Sequence, residues 1–180
     1  AGCGGGCAEG GVQLDDYSRA DEHLEAYAET GGETDRDDCY RKGFSRYRTA
    51  RYAGAAEWLR KACGAEDALT QNASYHLADC YLRAGDKQGA MQAFAMAADE
   101  KFDAAIAEDA LFNYAKLQYE LGGGAFNGAI NLLSRYLERY PSSPRAPEAR
   151  TLLIAAYYHS HDYDAAYRAI KAMPTEDADI

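Results

Sequence analysis

The chain has 180 residues, of which 47% are hydrophobic and 27% charged, a mixture that is typical of a folded protein and argues against a disordered one. Its formal net charge is −10, and because an acidic surface repels phosphate groups, we expect no nucleic-acid partner. Proline is rare while Ala, Leu, Glu and Arg are common, which favours helices and predicts an all-α fold. The longest apolar run, Leu152 to Tyr158, is too short for a membrane span of about 20 residues.

The first 13 residues are rich in glycine and are predicted to form a flexible segment. Cys3 and Cys7 lie in this segment, but a C-x3-C spacing without nearby His or further Cys is a weak zinc signal. The residues Ala1-Gly2-Cys3 are similar to the end of a bacterial lipoprotein box. Two interpretations stay open, a lipid anchor at Cys3 and a plain glycine-rich loop, and we favour the loop.

A helical pattern recurs five times along the rest of the chain. An aromatic residue is followed by Ala three residues later and by a large apolar residue four residues after that. The copies are spaced 35, 35, 39 and 37 residues apart, and they start at Tyr17, Tyr52, Lys87, Phe126 and Tyr163. Lys87 makes the third copy weaker. A further apolar or aromatic residue three positions on completes one stripe on one helix face.

Each of the last four copies is preceded by another helical segment. In the clearest example, Leu77-Ala78 and Tyr81 are followed by Gly85-Asp86. Gly85 can take the left-handed conformation that ends a helix, and Asp86 can accept from the free amides of the next helix. These pairs predict an array over residues 14–173. It begins with an isolated second helix at residues 14–30 and continues with four repeats at about 35–65, 67–100, 104–141 and 144–173. Residues 174–180 are predicted to form a short tail after the array.

This pattern resembles the tetratricopeptide repeat (TPR), a helix-turn-helix unit of about 34 residues. The series Leu77-Ala78…Tyr81…Gly85…Ala90…Phe94…Ala97 matches its small-residue, Tyr, Gly, Ala, Phe and Ala positions. Residues 132–141 (LLSRYLERYP) are similar to the second helix and closing proline of repeats in bacterial envelope proteins, namely outer-membrane assembly lipoproteins and Tol-associated coordinators. The resemblance implies a right-handed α-α superhelix of about nine helices, a protein-binding function and a periplasmic or outer-membrane-associated location.

The resemblance also implies a concave groove lined by the first helix of each hairpin. The family's groove positions lie three residues before, and one, four and five residues after, the small residue of that helix. In this sequence they hold Tyr40, Phe44, Tyr47, Arg48, Tyr75, Asp79, Leu82, Arg83, Phe112, Lys116, Tyr119, Glu120, Thr151, Ala155, Tyr158 and His159. The predicted partner-binding residues among them are Tyr40, Phe44, Tyr47, Tyr75, Asp79, Arg83, Phe112, Lys116, Tyr119 and Tyr158.

Aromatic rings at these positions would offer a rigid contact surface to a bound protein segment. The alternative is that the same rings pack between helices. The Lys and Asn residues with which some TPR domains clamp a carboxylate are replaced here, by Tyr40 and Phe44 in the first full repeat and by Tyr75 and Asp79 in the second. We therefore do not expect a receptor for chaperone C-termini.

Three other clusters have a chemical and a plainer interpretation. His159 and His161 suggest a metal site, but a solvated helix end explains them better. The acidic residues Asp35, Asp37 and Asp38 follow Thr34, and a capped helix start explains them better than a calcium loop. The basic residues of the first repeat are predicted to form a solvated helix face: Arg41, Lys42, Arg46, Arg48 and Arg51.

No catalytic or phosphate-binding motif occurs in the sequence, so we expect neither enzymatic activity nor a cofactor. The leading functional hypothesis is a scaffold that binds a peptide or protein segment in the groove. The alternative is a structural segment of a larger TPR array without its own ligand, because residues 1–11 contain no helix that would pair with residues 17–28. A metal-dependent enzyme is a remote third hypothesis.

Overall fold

The computed structural model describes residues 16–19, 22–23, 26, 35–99 and 101–173. The glycine-rich segment with Cys3 and Cys7, Thr34 and the tail at 174–180 lie outside these residues, as does much of the predicted isolated helix at 14–30. The described residues of that helix, 16–19, 22–23 and 26, are helical.

The all-α prediction is confirmed, and the part of the chain from residue 35 onward that the structure describes contains helices and no strand. Each of the four predicted repeats contains one pair of them. The helices are α1 (Arg36–Arg48), α2 (Tyr52–Ala62), α3 (Ala68–Arg83), α4 (Lys87–Asp99), α5 (Ala104–Leu121), α6 (Asn127–Arg139), α7 (Ala146–His159) and α8 (Tyr163–Lys171).

Consecutive helices pack against each other all along the chain, and each first helix also contacts the first helix of the next hairpin. The contacts α1–α3, α3–α5 and α5–α7 therefore make one continuous layer, with the second helices α2, α4, α6 and α8 behind it. One hairpin cannot bury its own apolar face, so each hairpin is stabilised by its neighbours. We call the surface of the α1, α3, α5 and α7 layer the first-helix face.

Aspartates begin many of the helices. Asp35 accepts a hydrogen bond from the amide of Asp38 at 2.8 Å, and Asp67 accepts one from the amide of Thr70 at 2.8 Å. Asp103 and Asp162 do the same at the starts of α5 and α8. Each aspartate satisfies an amide that has no partner within the helix. The acidic cluster at residues 35–38 is thus a helix cap with its first turn, as predicted.

The turn inside a hairpin uses a residue with a left-handed backbone. Gly85 has a φ of +79°, and Asp86 accepts from the amide of Gly89 at 2.8 Å, so the predicted stop and cap are confirmed. Ala50 and His161 occupy the equivalent position in the first and fourth hairpins, with φ values of +59° and +63°. A residue with a Cβ atom pays a steric penalty in this conformation, and glycine does not.

The predicted apolar stripe forms the core of the array. In the first three hairpins its small positions are fully buried, and its large positions, Leu59, Phe94 and Leu133, are buried as well, whereas Ile170 in the fourth hairpin is 52% exposed. The small positions of those three hairpins are Ala55, Ala90 and Ala129. Gly43 lies where α1 meets α2, and a Cβ atom added there would come within 2.7 Å of Leu59 Cγ. A small residue at this point predicts that α1 and α2 approach each other closely, and they do.

Two polar side chains fix the linkers between hairpins. Gln71 is fully buried, and its amide nitrogen donates to the carbonyl of Asp103 at 3.0 Å while its oxygen accepts from the Asp103 amide at 2.6 Å. Arg36 donates to both carboxylate oxygens of Asp67, at 2.7 and 3.1 Å, and to the Ala62 carbonyl at 2.9 Å. The Arg36 guanidinium holds the pKa of Asp67 well below its usual range.

Candidate functional site

Aromatic side chains of the first two hairpins form a cluster on the first-helix face. The Phe44 ring stacks on Tyr40 with centroids 5.8 Å apart and on Tyr47 at 6.1 Å. His76 from α3 joins them, with its ring centroid 5.0 Å from those of both Phe44 and Tyr47, and Tyr75 lies 5.7 Å from His76. We call Tyr40, Phe44, Tyr47, Tyr75 and His76 the aromatic cluster; all five are partly buried.

The imidazole of His76 lies within this cluster with one ring nitrogen buried. Its Nδ1 atom is buried and has no hydrogen-bond partner among the described residues. Burial lowers the pKa of His76, because the charged form would lose its hydration; Asp79 opposes this effect and Arg48 adds to it. The aromatic surroundings thus disfavour protonation of this side chain.

Polar side chains join each first helix to the next one. Tyr47 on α1 lies beside Asp79 on α3, and burial together with this neighbouring carboxylate raises the pKa of Tyr47 to about 12. Tyr75 Oη on α3 donates to Asp109 Oδ2 on α5 at 2.8 Å, and burial together with this hydrogen bond raises the pKa of Tyr75 to about 12. Lys116 Nζ on α5 lies 2.8 Å from Glu148 Oε1 on α7. We call these three contacts the polar ladder.

Further contacts hold the ladder residues in place. Arg83 Nε lies 2.7 Å from Asp79 Oδ2, and its guanidinium lies over the Tyr52 ring at 4.8 Å from the centroid. Arg145 pairs with Asp109 at 2.5 Å. Three of the predicted groove residues therefore have partners within the chain, and in this structure they contribute to the contacts between helices: Asp79, Arg83 and Lys116.

The predicted groove aromatics differ in accessibility. Phe112 is only 3% exposed, because it packs against Tyr136 with centroids 5.4 Å apart and the Arg145 guanidinium covers its ring. A bound segment would reach Phe112 only if Arg145 moved. Tyr119 is partly buried against Phe126, with centroids 5.5 Å apart, and Tyr158 is 59% exposed. The assignment of these residues to partner binding remains a prediction.

Four residues of this face were not among the predicted site residues: His76, Asp109, Arg145 and Glu148. Asp109 lies three residues before Phe112, and Glu148 lies three residues before Thr151. Residues three apart share a helix face, so this spacing is a signal from which both acids can be predicted. His76 and Arg145 carry no such signal, because their roles depend on how neighbouring hairpins stack.

The prediction that the basic residues of the first repeat are solvated is wrong for Lys42. Lys42 is 2% exposed, and its ammonium lies 4.2 Å from the centroid of the Trp58 ring. Lys61 Nζ lies over the same ring at 4.0 Å. The long aliphatic stem of lysine and the attraction of its charge to the indole make this burial possible.

The described residues include no group of three or more His, Cys, Asp or Glu side chains placed to hold a metal ion. His159 stacks on Phe126 with centroids 5.5 Å apart, and His161 Nδ1 lies 2.9 Å from the Tyr163 hydroxyl. None of the helices in this part of the chain has the length and hydrophobicity that a membrane crossing requires.

Comparisons with known proteins agree with this architecture. Residues 72–100 match the tetratricopeptide repeat family, and residues 106–173 match a family described as outer membrane lipoprotein. No curated protein matches the chain. The solved TPR-like repeats of a Podosopora anserina protein assigned as a kinesin light chain are 12% identical, with a TM-score of 0.59 over 89% of this chain and 85% of that one. The MamA protein is 16% identical, with a TM-score of 0.55 over 89% and 90% of the two chains.

At these identities the solved structures show the fold alone. Together with the repeat match, the stacked hairpins define a TPR superhelix, a class of scaffold for protein–protein interaction. More particularly, the chain resembles TPR proteins of the envelope type, since its residues 106–173 match the outer membrane lipoprotein family.

Proposed function

We propose that this TPR scaffold binds a peptide or protein segment along the first-helix face. The observation that supports this proposal most directly is the set of partly accessible aromatic rings on that face, in particular Tyr40 and Phe44 at one end and Tyr119 and Tyr158 further along. Tyrosine and phenylalanine give large contact areas with few rotatable bonds, and such residues contribute most to binding at protein interfaces.

The polar ladder adds to this proposal because it fixes the rings before a partner arrives. Tyr75 is hydrogen-bonded to the next hairpin, and the Tyr47 ring packs on His76 of the next hairpin, so little side-chain freedom is left for binding to remove. The acids and bases of the face are paired, as in Asp79 with Arg83 and Lys116 with Glu148. A segment that presents apolar side chains and hydrogen-bonding backbone fits this surface better than a strongly charged one.

Alanine variants test the proposal. The unmodified chain is first used to retain its binding proteins from an envelope fraction. We expect the double variant Tyr40→Ala/Tyr119→Ala to retain at least about tenfold less of these proteins, since each ring supplies contact area. Phe102→Ala is the matched control, because Phe102 is 57% exposed in the α4–α5 linker and lies outside the first helices. Retention of the same proteins by the double variant, measured by quantitative mass spectrometry, would contradict the proposal.

We also propose a location in a bacterial envelope, at the periplasmic side or in association with the outer membrane. The match of residues 106–173 to the outer membrane lipoprotein family supports it. The proposal includes no catalytic step and no cofactor. Fractionation of the native cells with an antibody against the chain tests the location, and recovery in the cytosolic fraction would contradict it.

A further inference from the structure

The aromatic cluster joins the first two hairpins and contains a histidine. The ring centroid of His76 on α3 lies 5.0 Å from those of Phe44 and Tyr47 on α1 and 5.7 Å from that of Tyr75. Aromatic rings at these distances attract each other and stabilise the surfaces that they join. The packing of His76 is therefore part of the contact between α1 and α3.

The surroundings of His76 do not suit a charged imidazole. Its Nδ1 atom is buried and has no hydrogen-bond partner among the described residues. Protonation turns both ring nitrogens into donors, so an N–H bond at Nδ1 would need an acceptor. The neighbouring ring faces attract a cation, but this attraction does not replace the hydrogen bonds of a buried charge. A proton on His76 therefore favours an arrangement in which water reaches Nδ1.

The charges around the cluster offer this proton little compensation. Burial lowers the pKa of His76, Asp79 raises it and Arg48 lowers it further. Asp79 Oδ2 is already paired with Arg83 Nε at 2.7 Å, and the ring that α4 contributes beside Tyr75 is Phe94, which does not titrate. Among the described residues, the titratable and charged groups in or around the cluster belong to the helix with Tyr17 and to α1, α2, α3 and α5: Tyr17, Tyr40, Tyr47, Arg48, Tyr52, Tyr75, Asp79, Cys80, Arg83 and Asp109.

We infer that the aromatic cluster is an acid-sensitive contact between the first two hairpins, in which a proton on His76 moves α1 away from α3. This inference goes beyond the proposed function and does not depend on a bound partner. It concerns the same face, because Tyr40 and Phe44 belong to the cluster and become more accessible as the contact opens. The position of His76, two residues before the small residue, holds Asn113 in α5 and Leu152 in α7. Neither side chain titrates, so the opening is confined to the first two hairpins.

Cys80 provides a probe of this contact. It lies one helical turn after His76 on the same side of α3 and is 1% exposed. Its rate of reaction with a pyridyl disulfide, which modifies thiols at acid pH, reports how often the contact opens, and peptide mass spectrometry follows Cys80 alone. His76→Phe is the reference at each pH. It keeps an aromatic ring, takes up no proton and cancels the pH dependence of the thiol reaction.

The expected result follows from the two proton affinities of His76. The open form binds the proton with the ordinary pKa of 6.5, and the closed form binds it with a lowered pKa. From pH 7.5 to 5.5 we therefore expect the Cys80 rate of the unmodified chain, relative to His76→Phe, to rise roughly threefold to tenfold. The matched control is Ala156→Cys, which introduces a thiol at a fully buried position of α7 and should show no such rise.

His76→Gln is a second reference that takes up no proton, and circular dichroism checks that both variants fold. A rate ratio that stays constant over this pH range with both references would overturn the inference. An equal rise at the thiol introduced by Ala156→Cys would overturn it as well, because the whole array would then unfold and not one contact. A failure of the Tyr40→Ala/Tyr119→Ala test alone would leave it intact, since no partner protein takes part.

Discussion

Gly43 shows how one residue sets the distance between two helices. A Cβ atom at this position would lie 2.7 Å from Leu59 Cγ and 2.9 Å from the Leu59 backbone nitrogen, and the backbone cannot give way as a flexible side chain can. We expect Gly43→Ala to lower the free energy of unfolding by about 1–3 kcal/mol through overpacking.

The matched control is Gly54→Ala on α2. There the added methyl group meets only the flexible end of Arg46, at 3.2 Å. Because alanine favours the helix, this variant should raise the free energy of unfolding by about 0.5 kcal/mol. Urea unfolding measures both, and equal effects of the two substitutions would contradict the close approach of α1 and α2.

We expect His76 to make a pH-dependent contribution to the free energy of unfolding. Its pKa is lowered in the folded chain from the ordinary 6.5, so the unfolded chain takes up a proton first as the pH falls. Stability is therefore unaffected by this group well above pH 6.5 and falls as the pH drops from there toward the lowered pKa. Between pH 7.5 and 5.5 we expect the unmodified chain to lose more stability than His76→Phe, by at most about 1.4 kcal/mol. The free energy of unfolding in urea is measured for both chains across this pH range. An equal pH dependence of the two chains would show that burial does not lower the pKa of His76.

The two helices of each hairpin are joined by a turn that needs one residue in the left-handed backbone conformation. Ala50 holds a φ of +59° where the second hairpin has Gly85 at +79°. We expect Ala50→Gly to raise the free energy of unfolding by about 1 kcal/mol, because glycine removes the steric penalty of the left-handed region. Thermal unfolding measures the effect. A lower melting temperature for Ala50→Gly would mean that the greater freedom of glycine in the unfolded chain outweighs the strain.

At the scale of the whole molecule, the periodic features were predictable from the sequence. The stripe through Leu59, Phe94 and Leu133 recurs at a nearly constant spacing, so its helices, their apolar faces and the TPR fold follow from the pattern alone. The polar ladder was not predictable in the same way. Its partners are 32 to 34 residues apart, as in Tyr47 with Asp79 and Tyr75 with Asp109, and they meet only once neighbouring hairpins are stacked.

The burial of Phe112 illustrates the same limit. Its position in the pattern assigns it to the first-helix face, but Tyr136 and Arg145 come from the next helix and the linker after it, and they cover the ring. The pattern predicts which side of a helix a residue lies on. The side chains of neighbouring elements decide whether that side is open to a partner.

The central proposal is that this scaffold binds protein along the first-helix face. Site-specific photo-cross-linking in the native cells tests it most directly. A photoreactive phenylalanine analogue at Tyr40 or at Tyr119 should yield the same cross-linked protein, because both rings lie on that face. The analogue at Met96, which is 43% exposed on the second helix α4, serves as the comparison. We predict cross-links from positions 40 and 119 and none to that protein from position 96. Cross-links to it from position 96 alone would contradict the account.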